Sequence, residues 1–576
     1  MSNILPYLKF RTTGNIVYSM VKSESHERAT YDTDTNSGTI ADTQSYTMVW
    51  DNLLTFFKTF GKHDVQALLG HSVEKNWGDG LSATGSDFPD DDILTDLGSA
   101  ANRSSMSSSE YANALVSAFA RLQYKYYDRY LLTATYRMDG SSRFGKDSRW
   151  GYFPSGALGW IMTEENFMKP LKPYVSYLKL RASVGLTGSQ NLGNYDFVTL
   201  MGSQVYNNLP GIVPSSMGNT LLQWESQRQT DVGIDYGFFD DRVRGSLGWY
   251  RKYVDNLLYG KPVPISSSFS NITQNVGAIS NTGIEFDIRA DLIKNNNLTW
   301  EVNFNIAHNK GILERLNGVT TSLGGGSYET FKLEEGGELG TFYGYVDAGR
   351  FYANGEEVYG LLPVDPATGV SGSYRSSRTE IAGDVYVLDL NGDGKITTDD
   401  RTYLGSSNPK VFGGFGSTLY WKGLMANLTF TYSLGGKRYW QQESASMAPN
   451  VYNAPDFIMD NWTLAGPEAK YPNVSLYGYG ENGVFTDRWL HNASYLRLSA
   501  LNISYRLPQK WFKNKVIQGV EANFQATNLF TITPYPGMDP QGNFSTSNLA
   551  LQGYGYDSSS YPTARTINIG LKFTFK

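Results

Sequence analysis

The chain alternates. Near its C-terminus, Ile567, Ile569, Leu571, Phe573 and Phe575 fall on one parity, while Thr566, Asn568, Lys572 and Thr574 fall on the other. Successive side chains of a strand point to opposite faces, so this segment predicts a strand with one apolar and one polar face. The same pattern recurs upstream. Leu298, Trp300, Val302, Phe304 and Ile306 oppose Thr299, Glu301, Asn303 and Asn305. Ile284, Phe286 and Ile288 oppose Glu285, Asp287 and Arg289, and Val520, Ala522, Phe524 and Ala526 oppose Glu521, Asn523, Gln525 and Thr527. Leu424 to Leu434 repeats it once more. About sixteen strands follow from this reading, near 7–21, 44–59, 64–74, 110–124, 129–138, 152–163, 177–187, 223–238, 243–258, 273–290, 298–309, 411–420, 424–434, 493–506, 518–528 and 564–575. Strand 493–506 changes step, which predicts a β-bulge near Ala500–Leu501.

Alternation alone also fits a soluble sandwich. The connections separate the two. Short ones fall at Gly61-Lys62-His63, Lys125–Asp128, Phe239-Asp240-Asp241, Lys294–Asn297 and Trp421-Lys422-Gly423, and long ones at 75–109, 188–222, 310–410, 435–492 and 529–563. Short turns at one end and long loops at the other are the pattern of outer-membrane barrels. The polar parity carries Glu285, Asp287, Arg289 and Glu301, too charged for a small packed core but suited to a wide hydrated interior. The predicted fold class is therefore all-β, an antiparallel transmembrane β-barrel over residues 1–576.

Composition agrees. Among 576 residues there are 60 Gly, 40 Tyr, 29 Phe and 12 Trp, and only 18% are charged. Glycine-rich turns with abundant aromatics favour β-structure. No run of 18 apolar residues is present, so a helical membrane protein is not predicted. A net charge of −6 gives no basic surface for nucleic acid. The absence of cysteine removes disulfides and thiolate metal sites. The start, MSNILPYLKF, has no signal-peptide pattern.

Several segments together are similar to SusC/RagA-type TonB-dependent transporters. They are Arg137-Met-Asp-Gly-Ser-Ser-Arg-Phe-Gly145, Arg149-Trp-Gly-Tyr-Phe-Pro-Ser155 with Gly159-Trp160, Leu178–Gln190, Leu222-Gln-Trp-Glu225, Gly340-Thr-Phe-Tyr-Gly-Tyr345, Asp389–Gly394, Asn528-Leu-Phe530 and the aromatic-ended last strand. The resemblance runs in family order from about residue 50 to the end. It implies an outer-membrane importer of large nutrients, oligosaccharides or peptides, of a Bacteroidetes-like Gram-negative cell. A SusD-like surface lipoprotein would serve as lid, and TonB would supply energy. Family members carry an N-terminal plug, a TonB box and a barrel of about 22 strands. The expectation here is therefore the C-terminal part of such a barrel, about sixteen strands without the plug, with TonB acting through the missing N-terminal region. A passive sixteen-stranded pore is a second reading, and a calcium-stabilised glycan-binding or adhesion protein of the surface is a third.

One segment carries metal chemistry. Asp389-Leu-Asn391-Gly-Asp393-Gly394-Lys395-Ile-Thr397-Thr-Asp399-Asp400 matches a calcium loop at its first, third, fifth and sixth positions, with an acid at the twelfth. Asp389, Asn391 and Asp393 would give side-chain oxygens, Lys395 its carbonyl, Thr397 a direct or water-borne ligand, and Asp400 the closing carboxylate. Its place is the long loop 310–410, where Ca²⁺ would be structural. Asn-Gly-Asp-Gly is equally a tight turn. The Asp139–Arg143 run reads as a rigid outer turn. Trp77, Trp440, Tyr471, Tyr477 and Tyr479 could stack on sugars, contact a lid or pack among themselves. The acidic run 87–92 reads as a solvated loop. His26, His63, His71, His308 and His491 have no metal spacing, and no nucleophile elbow or P-loop occurs, so no enzyme is predicted.

Overall fold

The computed structural model describes residues 2–30, 35–207, 209–316, 321–325, 328–352, 383–393, 396–447, 455–474, 482, 485–512, 516–541, 555–557 and 561–576. Seventeen strands make its main β-structure. They are β1 (Ser2–Leu5), β2 (Leu8–Glu27), β3 (Ser37–Phe60), β4 (His63–Ser86), β5 (Asn102–Tyr126), β6 (Tyr130–Ser141), β7 (Trp150–Ile161), β8 (Val175–Ser189), β9 (Glu225–Phe238), β10 (Val243–Asp255), β11 (Ala278–Lys294), β12 (Leu298–Arg315), β13 (Val411–Trp421), β14 (Leu424–Leu434), β15 (Tyr495–Arg506), β16 (Ile517–Ile532) and β17 (Thr566–Phe575). Each of the sixteen strands read from alternation is present; β1, too short to show a period, is the addition. No helix among the described residues is long and apolar enough to cross a membrane.

The chain forms two compact units. The first comprises Met1–Lys169, Lys179–Val232 and Lys252–Ala278. In it, β1 to β8 pair antiparallel, each with the next. Strands β3 and β4 pair without a break from Phe60↔His63 to Ser37↔Ser86. At about 3.3 Å per residue, their 24 residues reach roughly 80 Å, more than twice the ~9–11 residues a membrane strand needs. The segments 75–86 and 102–109, expected as loop, are strand instead. They are rich in Ser, Thr and Gly, so they lose the apolar alternation while keeping the backbone ladder.

The second unit comprises Pro170–Leu178, Gly233–Arg251 and Ile279–Lys576. Here β12 to β17 pair in sequence. One rung across all six strands is Glu301, Thr418, Asn427, Asn502, Gln525 and Asn568. The adjacent rung on the other face is Val302, Ser417, Leu428, Leu501, Ala526 and Ile567. Polar and apolar faces thus stay in phase through the unit. Lys422 (φ 45°) and Gly423 (φ 91°) form the two-residue turn between β13 and β14, the paired left-handed conformation that matches strand twist.

The change of step in β15 is a bulge one residue before the expected place, at Ser499. Phe430 pairs with Leu498 and Thr429 with Ala500, leaving Ser499 extra. On the other side, Leu498 pairs with Phe530 and Ala500 with Thr527. Asn528, at φ 52°, absorbs that offset, which gives the Asn528-Leu-Phe530 motif a backbone role. Asn tolerates the left-handed region better than other non-glycine residues.

Candidate functional site

The long connections of the second unit fold into a layer with its own cores. Thr321–Gly325, Tyr328–Leu333, Thr341–Gly344 and Thr402–Ser406 form a four-stranded sheet. Lys437–Trp440 pairs antiparallel with Leu490–Asn492 and parallel with Tyr556–Asp557. Phe331, Phe342, Leu404, Tyr439, Met447, Tyr471, Phe485, Trp489 and Leu490 bury one another. Phe342 stacks on Phe331 with centroids 4.7 Å apart and is fully buried. The Gly340–Tyr345 motif is thus the seed of this core. A second core joins Tyr345, Phe351, Val385, Val387, Ile396 and Ala469.

Charged groups are buried beside these cores. Arg497 donates from Nη2 to Asp539 Oδ1 at 2.5 Å, from Nη1 to Gln541 Oε1 at 2.6 Å and from Nε to Thr531 Oγ1 at 2.8 Å. Both side chains are nearly inaccessible, at 5% and 3%. Burial pushes the Asp539 carboxyl up, but donation from the Thr563 hydroxyl, the backbone of Gln541 and Thr563, and Arg497 outweighs it, and the group settles at about 2. Glu443 accepts from the Tyr471 hydroxyl at 3.1 Å and lies 2.5 Å from His491 Nε2. Burial, with Glu443 alongside, raises the Tyr471 phenol above its ordinary value. Tyr535 donates to Asp557 at 2.6 Å. Arg488 pairs with Asp347 at 2.7 Å. The sequence reading missed this network. Apart from the local bond from the Gln541 backbone to Asp539, its partners are 22 to 141 residues apart and follow no local spacing; the one signal was Arg497, an arginine in the polar parity of a strand.

The Asp389–Asp400 segment forms a capped turn. Asp389 Oδ1 accepts from the Gly392 backbone at 2.7 Å and Asn391 Oδ1 from that of Asp393 at 2.8 Å. Asp400, fully buried, accepts from the backbone of Leu390, Asn391 and Thr397 at 3.0, 3.3 and 2.7 Å. With Thr397 it makes a reciprocal capping box. Gly394 and Lys395 lie outside the described residues. No group of three His, Cys, Asp or Glu side chains with metal-binding geometry occurs among the described residues. Asp400→Ala is expected to strip the backbone N–H groups of Leu390, Asn391 and Thr397 of their shared acceptor and so loosen the turn. Backbone hydrogen exchange should then quicken at Leu390, Asn391 and Thr397.

The other candidates resolve as packing. Trp77 stacks on Tyr46 at 5.2 Å and 7°, and Tyr46 lies 4.8 Å from Tyr18, an aromatic ladder across β2–β4. Tyr471 sits within the first loop core, Trp440 is half-buried, and Tyr477 and Tyr479 lie outside the described residues. In the acidic run, Asp91 meets His26 at 3.0 Å, Asp92 pairs with Arg28 and Asp90 caps two backbone amides. The run is a largely exposed loop, as expected, tethered by these contacts. In the first unit, Arg137 bonds Asp139 and Ser117, and Arg143 reaches the Gln190 carbonyl at 3.2 Å. Phe144, Phe153, Leu192, Leu222 and Trp224 form one core, and Trp224 Nε1 donates to the Arg149 carbonyl at 3.0 Å. Three of the motifs therefore meet in one knot of side chains.

The profile of the family described as TonB dependent receptor-like, beta-barrel matches residues 5–556. The chain belongs to this family. A TonB-dependent receptor P3 of Formosa agariphila is 32% identical over 545 residues, covering 91% of this chain and 52% of the relative. TonB-dependent receptor SusC of Bacteroides thetaiotaomicron is 32% identical over 481 residues, 80% of this chain and 44% of SusC. The structure of the RagAB peptide transporter shares the fold, with a TM-score of 0.81 and 23% identity, over 99% of this chain and 60% of that one. The SusC/RagA resemblance of the motifs holds, and this TonB-dependent receptor barrel spans about half the length of the relatives it matches.

Proposed function

We propose that this receptor barrel is the wall of an outer-membrane importer for large nutrients, oligosaccharides or peptides, in a Bacteroidetes-like cell. A SusD-like surface lipoprotein would close over it, and TonB would energise it through a plug and TonB box on the N-terminal side of the chain's counterpart in longer relatives. The observation that carries this reading is the pairing of two features in one set of strands. Polar and apolar faces run in phase through β12 to β17, and the described parts of the long connections in the second unit form packed cores with buried charges. A wide wall with a built surface layer suits selective capture better than simple diffusion. The full-length receptor, extracted in mild detergent from outer membranes, is expected to co-purify with a surface lipoprotein and with bound nutrient detectable by mass spectrometry. Recovery in the periplasm, or steady ion conductance without TonB, would overturn the reading.

We also propose that Ca²⁺ closes the Asp389–Asp400 turn, with the oxygens of Asp389, Asn391, Asp393 and Thr397 as ligands. The spacing of these oxygens along the loop supports the reading, with Asp389 and Asn391 each already accepting from a backbone N–H of the turn. Calorimetric titration of calcium into the receptor should give heat that an Asp389→Ala, Asp393→Ala variant lacks; equal heats would remove the metal from the account.

A further inference from the structure

Charge is unevenly placed along β13 to β17. In the stretches 411–442, 491–538 and 558–576, which carry these five strands, Glu521 is the sole acidic residue. Cations gather at the end with the short turns. Lys422 lies in the β13–β14 turn, Arg506 ends β15 and Lys510 follows it, and Lys572 and Lys576 lie at the end of β17. Backbone bonds tie them into one rim: Arg506 N–H donates to the Gly423 carbonyl at 2.8 Å, Leu507 to Val520 at 3.0 Å and Lys576 to Val516 at 3.0 Å.

The rim has two sides. Arg506, Glu521 and Lys572 share one rung of the polar face, where Arg506 meets Glu521 at 3.4 Å. The apolar face ends in Trp421, Tyr505 and Phe575, all exposed, and Trp511 beside Lys510 is 55% exposed. Lys422 Nζ lies 5.8 Å from the centroid of the Trp421 ring, so its ammonium leans toward this apolar face. Lys422, Lys510 and Lys576 have no ion-pair partner among the described residues.

Exposed indoles at the edge of an apolar wall mark the depth at which lipid headgroups begin. Ammonium groups at that depth without carboxylates suit a headgroup with net negative charge; a zwitterionic one brings its own cation to the phosphate. Lysine binds phosphate as a point charge and needs no planar fork. A soluble anion on the polar face would meet the carboxylate of Glu521, and like charges placed together are costly. The apolar face has no such acid.

We propose that this rim holds an anionic phospholipid of the inner leaflet, its phosphate on Lys422, Lys510 and Lys576 and its glycerol region against Trp421 and Trp511. The inference rests on the outer-membrane placement proposed above and is independent of the cargo.

The test uses the full-length receptor in mild detergent, titrated with phosphatidylglycerol and with phosphatidylethanolamine of matched acyl chains, and read by native mass spectrometry. Wild type is expected to retain phosphatidylglycerol about tenfold more strongly or better. Each of Lys422→Gln, Lys510→Gln and Lys576→Gln should weaken that lipid about fivefold, and the three together roughly 100-fold. Arg506→Gln, on the polar face, should leave it unchanged. Heat-modifiable migration reports that each variant still folds; where the triple variant fails that check, the single ones decide. Equal retention of the two lipids, no loss in the lysine variants, or displacement of the lipid by inorganic phosphate or by an acidic peptide overturns the site. None of these outcomes touches the import reading, which falls with recovery of the receptor in the periplasm or with steady conductance without TonB.

Discussion

Arg497→Met in the full-length receptor is expected to destabilise the loop layer by about 3–5 kcal/mol, the cost of stranding a buried charge. The variant keeps an unbranched apolar stem and removes the guanidinium with its charge and donors, so Asp539 is left inside without its partner. The effect should depend on pH in a defined direction. The Asp539 carboxyl sits at about 2 when folded, against 3.8 ordinarily. A depressed acid contributes stability that is complete above its unfolded value and disappears as pH falls through the folded one. Wild type should therefore lose about 2 kcal/mol of loop-layer stability between roughly pH 4 and pH 2. Arg497→Met should lose less over that window, since part of the depression is gone with the arginine. Hydrogen exchange of the 529–541 segment across pH is the measurement. An identical acid profile in the two proteins would show that the Thr563 and Gln541 contacts alone hold Asp539 down.

Phe342→Ala is expected to cost about 3–5 kcal/mol, as for other large aromatic truncations in a packed core. Phe342 is fully buried, stacks on Phe331 and lies 5.9 Å from Phe485. Those contacts tie the Gly340–Tyr345 segment to the segment before Trp489. The loss should be local. Strands β12 to β17 hold each other through their own ladders, so heat-modifiable migration should persist while proteolysis of the 435–492 connection accelerates. If both change together, the layer and the wall are one cooperative unit.

The wall was legible in the sequence because lipid and water impose opposite demands on alternate residues. Where that demand stops, legibility stops with it. Residues 75–86 continue β4 as Lys-Asn-Trp-Gly-Asp-Gly-Leu-Ser-Ala-Thr-Gly-Ser, with no strict alternation; backbone pairing and scattered cross-strand side-chain contacts such as Trp77–Tyr46 and Thr84–Thr39 keep them extended. The β15 bulge showed in the sequence as a phase change, but Ser499 rather than its neighbour takes the extra place, since its hydroxyl bonds Thr431 at 2.6 Å. The loop layer was the least legible part. Arg438 and His491 are cross-strand neighbours separated by 53 residues of chain, and Asp539 and Thr563 meet across 24. Such pairs leave no mark in local spacing. The turn at Asp389 was found by motif, yet the motif did not say that Asp400 would serve as a buried cap.

The unbroken β3–β4 ladder also has a mechanical side. The 87–101 connection joins β4 to β5, which pair with each other from Ser86↔Asn102 to His63↔Tyr126. A pull applied there is therefore shared between that ladder and the β3–β4 ladder that ends at Ser37↔Ser86. A partner clasping this tip would draw on both ladders at once, and the load would be divided before it reached the turn at Phe60↔His63.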